Sequence, residues 1–422
     1  MTVTLSGKAL VGETAIIASK SVVHRLLICA ALCDTPTVLT GVTYSEDIEA
    51  TIACLRALAA DIRCEDDRVT VMPRTEKRAR AVLDCGESGS TLRFLLPIAA
   101  ALGGAQFTGR GRLSQRPLTP VYAVLQQHGC ELSAEGNFPL TVSGVLQGDT
   151  FAIDGSLSSQ FISGLLMAVP LFNKTCRVRV IGIMTSYPYI ALTMEALAKF
   201  GVAVERDGNV FTVSGRYVSP ERLPAEGDWS NAGFWLPGAA ISHSDEFALD
   251  GLAAESVQGD RRITALLREA GFTVVLQDGR WRVSGEGTRA LRVDAEDIPD
   301  LVPIVAVLAT ALSGETAIYH AQRLIHKESN RLESVRAMLT ALGGSVRLTN
   351  DGLVITGTPL GGGTVDSYND HRIVMAAAIA ALRCREPVTI VGAEAVRKSY
   401  PTFFEELEKR GMQVCRAVGD ET

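Results

Sequence analysis

Long apolar runs are missing from this 422-residue chain. No uncharged stretch reaches the ~18 residues that a membrane-spanning helix needs, so no segment is expected to cross a bilayer. The N-terminus, MTVTLSGKALVGE, lacks a basic stretch followed by an apolar one, and no secretory signal is expected. Nine cysteines are present, but none is paired as CxxC and the number is odd. That argues against a disulfide framework or a zinc knuckle and for reduced thiols in a cytoplasm. Cys29 and Cys33 lie one turn apart in an apolar segment and read as core packing. There is no HExxH and no GxxxxGK followed by Ser or Thr, so zincin and P-loop chemistry have no sequence support. Positive charge is not in excess: the net charge is −6, which argues against a general nucleic-acid binder. Low-complexity tracts are absent.

What is present is length and repetition. The chain is too long for one ordinary core, so two or three domains are expected. Six segments share one shape: a small polar start, an apolar helix, then a strand. They end at Gly41, Gly109, Gly182, Gly251, His320 and Gly392, in steps of 68, 73, 69, 69 and 72. A more amphipathic helix follows each, closed in five cases by a glycine (Gly129, Gly201, Gly271, Gly343, Gly411). Hairpins turning on EGN, DGN, DGR or NDG come next. Each unit therefore reads as strand–helix–strand–helix–strand–strand. The sixth lacks a return strand near Cys415, while TVTL and ETAIIA at the N-terminus have no unit of their own. The N-terminus is expected to complete the last unit, which makes one domain discontinuous: 1–19 with 227–422, and 20–226.

The starts of these helices carry the wrong charge. In DSYNDHRIVMAAAIAAL, Asp370 reads as an N-cap and Arg372 falls in the first turn. A cation there opposes the helix dipole by ~0.3–1 kcal/mol. Lys20, Arg25, Arg93, Arg116, Lys327, Arg331 and Lys398 stand at similar places, and Arg116 precedes Pro117, a candidate first helical residue. One such cation is an ordinary surface charge; eight in an acidic chain point to a site. Helix N-termini bind anions through backbone N–H groups, and Arg and Lys add charge-assisted bonds. Gly89 and the serines of ESGSTLR and SLSSQF add small donors and close backbone approach. The implied ligand is small and multiply anionic. His371 is a candidate acid or base or a structural histidine. Asp300 in DIPDLVP and Glu328 in HKESNR are the strongest acid–base candidates, with capping or dipole roles as the alternative.

SKSVVHR, ESGSTLRF, SSQF, SYPYI, EGDWSNAGFWL, DIPDLVP, KESNRL, YNDHR and KSYPTFFEEL occur in this order along the whole chain. In this the sequence resembles the 5-enolpyruvylshikimate-3-phosphate synthases. The resemblance implies an α/β fold of two similar domains, each of three units with buried helices and outer sheets, an inside-out α/β barrel. The active site would lie in the cleft between them. It implies transfer of the enolpyruvyl group of phosphoenolpyruvate to the 5-hydroxyl of shikimate 3-phosphate with release of phosphate, and it requires no metal or organic cofactor. Lys20, Ser21, Arg25, Ser158, Ser159, Gln160, Ser186, Asp300 and Lys327 match the shikimate-phosphate site. Lys20, Gly89, Arg116, Gln160, Arg331, Arg372 and Lys398 match the phosphoenolpyruvate site. Asp300 and Glu328, with Lys20, match the groups that move protons.

Three positions depart from common patterns: Glu87 stands where Asn is frequent, Asn330 where Asp is frequent, and Arg323 where some members have Asn. Two alternatives are a transferase acting on UDP-N-acetylglucosamine and a non-catalytic, repeat-built anion-binding protein. The first usually carries a cysteine in the loop that here reads GRGRLSQRP. The second is disfavoured by the joint presence of Lys20, Asp300, Glu328 and Arg372. A cytoplasmic monomer that engages neither nucleic acid nor membrane is expected, with measurable inhibition by glyphosate.

Overall fold

The computed structural model describes residues 1–72 and 81–417. Six four-stranded sheets are present among them, all of one topology. In Ala81–Asp84, Gly104–Thr108, Leu140–Gly144 and Cys130–Leu132, the first two strands run parallel and the last two close an antiparallel hairpin. The parallel pair is joined through the helix Gly89–Ala101, and the helix Thr119–Gln127 leads into the hairpin. This is the unit that the period near 70 residues predicted.

The first helix of each unit is buried on all sides. Trp229–Ile241, Val302–Ala309 and His371–Ala380 expose no side chain appreciably, and neither does Leu92–Ala100 of Gly89–Ala101. A helix with no polar stripe has no face to give to water and is stable only when enclosed. The second helices bury one face; Ile263–Ala270 buries Ile263, Leu266, Leu267 and Ala270 and exposes Arg268 and Glu269. The strands alternate, as in Cys176–Ile181, where Cys176, Val178 and Val180 are buried and Arg177, Arg179 and Ile181 are exposed. Helices are therefore inside and sheets outside, an inside-out α/β arrangement.

The chain divides into two compact units, Met1–Ile17 with Gly227–Thr422, and Ala18–Glu226. Each has its own apolar core. Thr2–Ser6 lies between Val388–Val391 and Gln413–Arg416, with Val3 opposite Ile390 and Thr4 opposite Cys415, and supplies the strand missing from the sixth sheet. Glu13–Ala15 instead adds in parallel to Ala248–Asp250 of the fourth sheet. Arg222–Pro224 adds in parallel to Thr37–Thr40 of the first. The lead strands of these two sheets thus come from just before the chain crossings. At the crossings, the Ser19 N–H donates to the Glu226 carbonyl (2.7 Å) and the Asp228 N–H to the Ile17 carbonyl (2.9 Å). The first of these bonds, with the Ala18 N–H donating to Thr43 Oγ1 (3.2 Å), ties Ala18 and Ser19 to the unit Ala18–Glu226, two residues before the expected boundary.

The five glycines that close the second helices all have positive φ, from 77° to 112°. The first unit does the same with Ala59, at φ 77°. A left-handed alanine costs roughly 1–2 kcal/mol of backbone strain that a glycine avoids.

Candidate active site

In the unit Ala18–Glu226, the helix Lys20–Ala31 opens with Lys20, whose Nζ lies 2.7 Å from Asp47 Oδ2. One turn on, Arg25 is only 2% exposed. Its Nε donates to Thr193 Oγ1 (2.7 Å), Nη1 to the Ser21 carbonyl (2.7 Å), and Nη2 to the Tyr189 carbonyl (2.9 Å) and Ser163 Oγ (3.5 Å). Its guanidinium stands 4.8 Å from the Phe94 ring centre. Burial lowers its pKa to about 10, with Tyr189 and Cys29 opposing. These neutral partners orient the cation without neutralising it.

Ser88 caps the helix Gly89–Ala101, accepting from the Thr91 N–H (3.2 Å). A hydroxyl chain stands behind this cap: Thr91 Oγ1 donates to Ser88 Oγ, and Thr51 Oγ1 links Thr91 Oγ1 to His24 Nδ1, each at 2.7 Å. Burial, then Lys20 and Arg25, hold His24 well below its usual pKa, so it is a neutral member of the chain. The Arg116 guanidinium lies against Gly89; a Cβ there would fall 2.6 Å from Arg116 Cζ. Any side chain at this position would have to displace the Arg116 guanidinium.

Pro117 is not the first helical residue expected. The Leu118 N–H donates to Glu135 Oε1 (2.5 Å), and the helix begins at Thr119 with Pro120 in its first turn. Arg116 therefore stays in extended backbone outside the helix. Glu87, one of the departures, packs its carboxyl into the space a Cβ would take at Gly111.

Ser158 caps the helix Ser159–Ala168 through the Gln160 N–H (3.3 Å), and Ser159 is buried. Gln160 bridges two elements, accepting from Arg93 Nη1 and donating to Ser90 Oγ, both at 2.8 Å. Ser186, before the helix Tyr187–Lys199, is buried with left-handed backbone (φ 53°, ψ 46°). Such strain persists where surrounding structure enforces it, and it concentrates at functional sites.

In the other unit the pattern is ionic. Arg331, at the start of Arg331–Ala341, is 1% exposed and meets three carboxylates: Asp300 Oδ1 at 2.8 Å from Nη1, Glu328 Oε2 at 2.6 Å from Nη2, and Asp370 Oδ2 at 3.0 Å from Nε. Burial opposes its charge, but Asp370, Glu328 and Asp300 raise its pKa above the ordinary value. Arg372 Nη2 lies 2.9 Å from Asp300 Oδ2, and Lys327 Nζ 3.7 Å from Oδ1. Burial pushes the Asp300 carboxyl up, but Arg372, then Lys327 and Arg331, overcome it and hold the group well below the usual range. Burial lowers Lys327 to about 8 despite Asp300.

Asp370 caps His371–Ala380 through the Arg372 N–H (2.9 Å), as the sequence predicted, while also clamping Arg331 and accepting from Ser329 (3.1 Å). Two consecutive left-handed residues, Tyr368 (φ 51°) and Asn369 (φ 56°), precede it. The Asn369 carbonyl accepts from Lys398 Nζ at 2.8 Å. The capping alternative for Asp300 and Glu328 does not hold: the helix-start positions are Leu301 and Asn330. Asn330 Oδ1 accepts from the Glu333 N–H, so this departure serves as a cap. Arg323 turns to the Glu296 carbonyl. His371 is buried, with Nδ1 4.0 Å from Asp370 Oδ1.

Sequence reasoning missed Asp370 as a clamp and Arg93 as the partner of Gln160.

Clustered cations and a charge-held carboxylate stand at helix starts of an inside-out α/β fold, an arrangement suited to a small, multiply anionic ligand. The profile of the EPSP synthase (3-phosphoshikimate 1-carboxyvinyltransferase) family matches residues 5–407. The chain belongs to this family. It is 37% identical over 418 residues to a 3-phosphoshikimate 1-carboxyvinyltransferase of Clostridium kluyveri, covering 98% of both chains. To that of Clostridium acetobutylicum it is 38% identical over 414 residues, covering 96% of both. An EPSP synthase of Acinetobacter baumannii superposes with a TM-score of 0.81 at 25% identity, over 98% of this chain and 100% of the other. An enolpyruvyl transferase of Streptomyces tendae shares the fold, with a TM-score of 0.77 at 17% identity over 98% of each chain. The chain is a transferase of the shikimate pathway, with shikimate 3-phosphate as acceptor and phosphoenolpyruvate as donor.

Proposed function

We propose that the residues matched in the sequence hold the two substrates for transfer of the enolpyruvyl group to the 5-hydroxyl of shikimate 3-phosphate. Lys20, Ser21, Arg25, Ser158, Ser159, Gln160 and Ser186 hold shikimate 3-phosphate, with Asp300 and Lys327 on its hydroxyl side. Lys20, Gly89, Arg116, Gln160, Arg331, Arg372 and Lys398 hold phosphoenolpyruvate. Arg25 supports the first assignment, because a buried cation with neutral partners has its charge left for a phosphate. The observation that carries the chemistry is Asp300, a half-buried carboxylate that Arg372, Lys327 and Arg331 keep ionised. An ionised carboxylate suits acceptance of the 5-hydroxyl proton as oxygen adds to the enolpyruvyl carbon.

Phosphoenolpyruvate is protonated at its methylene carbon, and Glu328 and Lys20 are the groups for that delivery. The resulting tetrahedral intermediate loses phosphate and a methyl proton. Arg331, Arg372 and Lys398 are preorganised to stabilise the departing charge. The protein acts as a cytoplasmic monomer, and its nine free cysteines suit a reducing compartment. Glyphosate inhibits it by competing with phosphoenolpyruvate, because glycine at position 89 lets the Arg116 guanidinium lie against the helix start.

Purified protein releases phosphate only with both substrates present. Release with UDP-N-acetylglucosamine as acceptor would overturn the reading. Asp300→Ala lowers kcat far more than it raises either KM.

A further inference from the structure

Arg116 reaches the helix start at Gly89 from extended backbone, and the fit is close: its guanidinium fills the space a Cβ would take there. Just beyond it, the peptide between Pro117 and Leu118 is held from both sides. The carbonyl accepts from Arg93 Nη2 (3.3 Å), and the N–H donates to Glu135 Oε1 (2.5 Å). A trans peptide is planar and points these two groups in opposite directions, so the pair of bonds fixes its plane. The Pro117 ring fixes φ on the side of Arg116, which leaves ψ as the rotation that this clamp sets. Arg93 already belongs to the site through Gln160 Oε1 (2.8 Å). Glu135 belongs to none of the sets above.

Glu135 comes from 17 residues further on, in the connection between Cys130–Leu132 and Leu140–Gly144. The helix Thr119–Gln127 has no cap of its own, because Leu118 stands at the cap position and carries no side-chain acceptor. Glu135 supplies one from outside, and its two oxygens also lie 3.2 and 3.0 Å from the Thr119 hydroxyl, which donates to them. Leu118 is buried, and a backbone N–H removed from water requires a partner. Without Glu135 that N–H finds another acceptor by turning the peptide, and the chain that carries Arg116 turns with it.

We propose that Glu135 is a positioning residue for Arg116: by fixing the Pro117–Leu118 peptide, it sets where the guanidinium meets the substrate anion at Gly89. The proposal rests on Arg116 as a phosphoenolpyruvate ligand. Charge and position give opposite signs here. Glu135 is exposed and negative, so as a charge alone it repels an arriving anion, and its removal would tighten binding. As a clamp, its removal lets Arg116 move and weakens binding, and a misplacement on the order of 1 Å is enough for a roughly tenfold loss or more.

Steady-state kinetics on the full chain tests it. In Glu135→Ala the KM for phosphoenolpyruvate is expected to rise about tenfold, while kcat stays within about threefold. Glu135→Gln keeps an oxygen for the Leu118 N–H and is expected to hold that KM within about threefold of wild type. Ala123→Gly, on the exposed face of the same helix, is the stability control: it lowers the denaturant midpoint and is expected to leave KM unchanged. The deciding measurement is the double variant. In an Arg116→Met background, Glu135→Ala is expected to add nothing to KM, because no guanidinium is left to position. The proposal is overturned if Glu135→Ala leaves KM unchanged or lowers it, if Glu135→Gln is as impaired as Glu135→Ala, if Ala123→Gly raises KM equally, or if the two effects multiply in the double variant. Failure of the underlying site reading is distinct: Arg116→Met alone then leaves the KM for phosphoenolpyruvate unchanged.

Discussion

Arg25 and Arg331 are equally buried arginines at helix starts, one in each unit, and their surroundings are opposite. Arg25 is held by two hydroxyls and two carbonyls, and its pKa falls. Arg331 is gripped by Asp300, Glu328 and Asp370, and its pKa rises. The Ala18–Glu226 unit thus keeps a poised charge, whereas in the other unit Arg331 is paired with three carboxylates. A poised cation contributes little to folding and much to an anionic ligand. A cation shared by three carboxylates is felt first in stability when it is lost.

The largest effect expected follows from that contrast. Arg331→Met leaves three carboxylates without their shared cation and destabilises the protein by ~3–5 kcal/mol in denaturant titration. Arg25→Met changes stability by less than ~1 kcal/mol but raises the KM for shikimate 3-phosphate ~100-fold, the scale of a lost buried charge contact. Equal destabilisation by the two variants would break the comparison.

Gly89→Ala sharpens it within the first unit. The new Cβ displaces the Arg116 guanidinium, raising the KM for phosphoenolpyruvate by roughly 10–100-fold, about 1.4–2.8 kcal/mol. The KM for shikimate 3-phosphate stays within about threefold if Arg25 and Arg116 act independently.

The pH profile probes the networked unit. Burial depresses Lys327 to about 8, so its charge is lost as pH rises through that value, and kcat/KM falls with it. For stability the sign is the reverse. Between about 8 and 10.5 the unfolded lysine binds more protons than the folded one, so stability rises with pH across that window. Lys327→Arg moves the alkaline limb of kcat/KM upward, because a guanidinium stays charged. An unmoved limb would assign it to another group.

The smallest effect is a control on backbone strain. Ala59→Gly relieves the left-handed alanine and stabilises the protein by ~0.5–1 kcal/mol, read by denaturant midpoint, with kcat and both KM values unchanged.

Much of this was legible because it depends on local periodicity and chemistry. All-apolar helices demand enclosure, alternating strands demand one buried face, and a repeat near 70 residues demands one fold used six times. The cap at Asp370 was readable from an Asx residue before an apolar run. Cations at helix starts were readable as an anomaly, since each breaks a local rule. Arg372 shows why the anomaly is tolerated: its side chain lies on Asp300, and its backbone N–H is satisfied by Asp370.

The sequence by itself determined the helix and strand pattern, the sixfold repeat, and the residue types gathered at helix starts, because these follow from side-chain spacing along one segment. Only the tertiary structure decided which charges meet. Arg331 and Asp370 are 39 residues apart, Arg372 and Asp300 72, and no periodicity relates them. The structure also decided that Glu13–Ala15 joins the fourth sheet rather than the last, because a short strand pairs wherever an edge of matching register is open. And it decided that Asp260 is buried against Ser230, 30 residues away, because such a contact depends on distance in space and not along the chain.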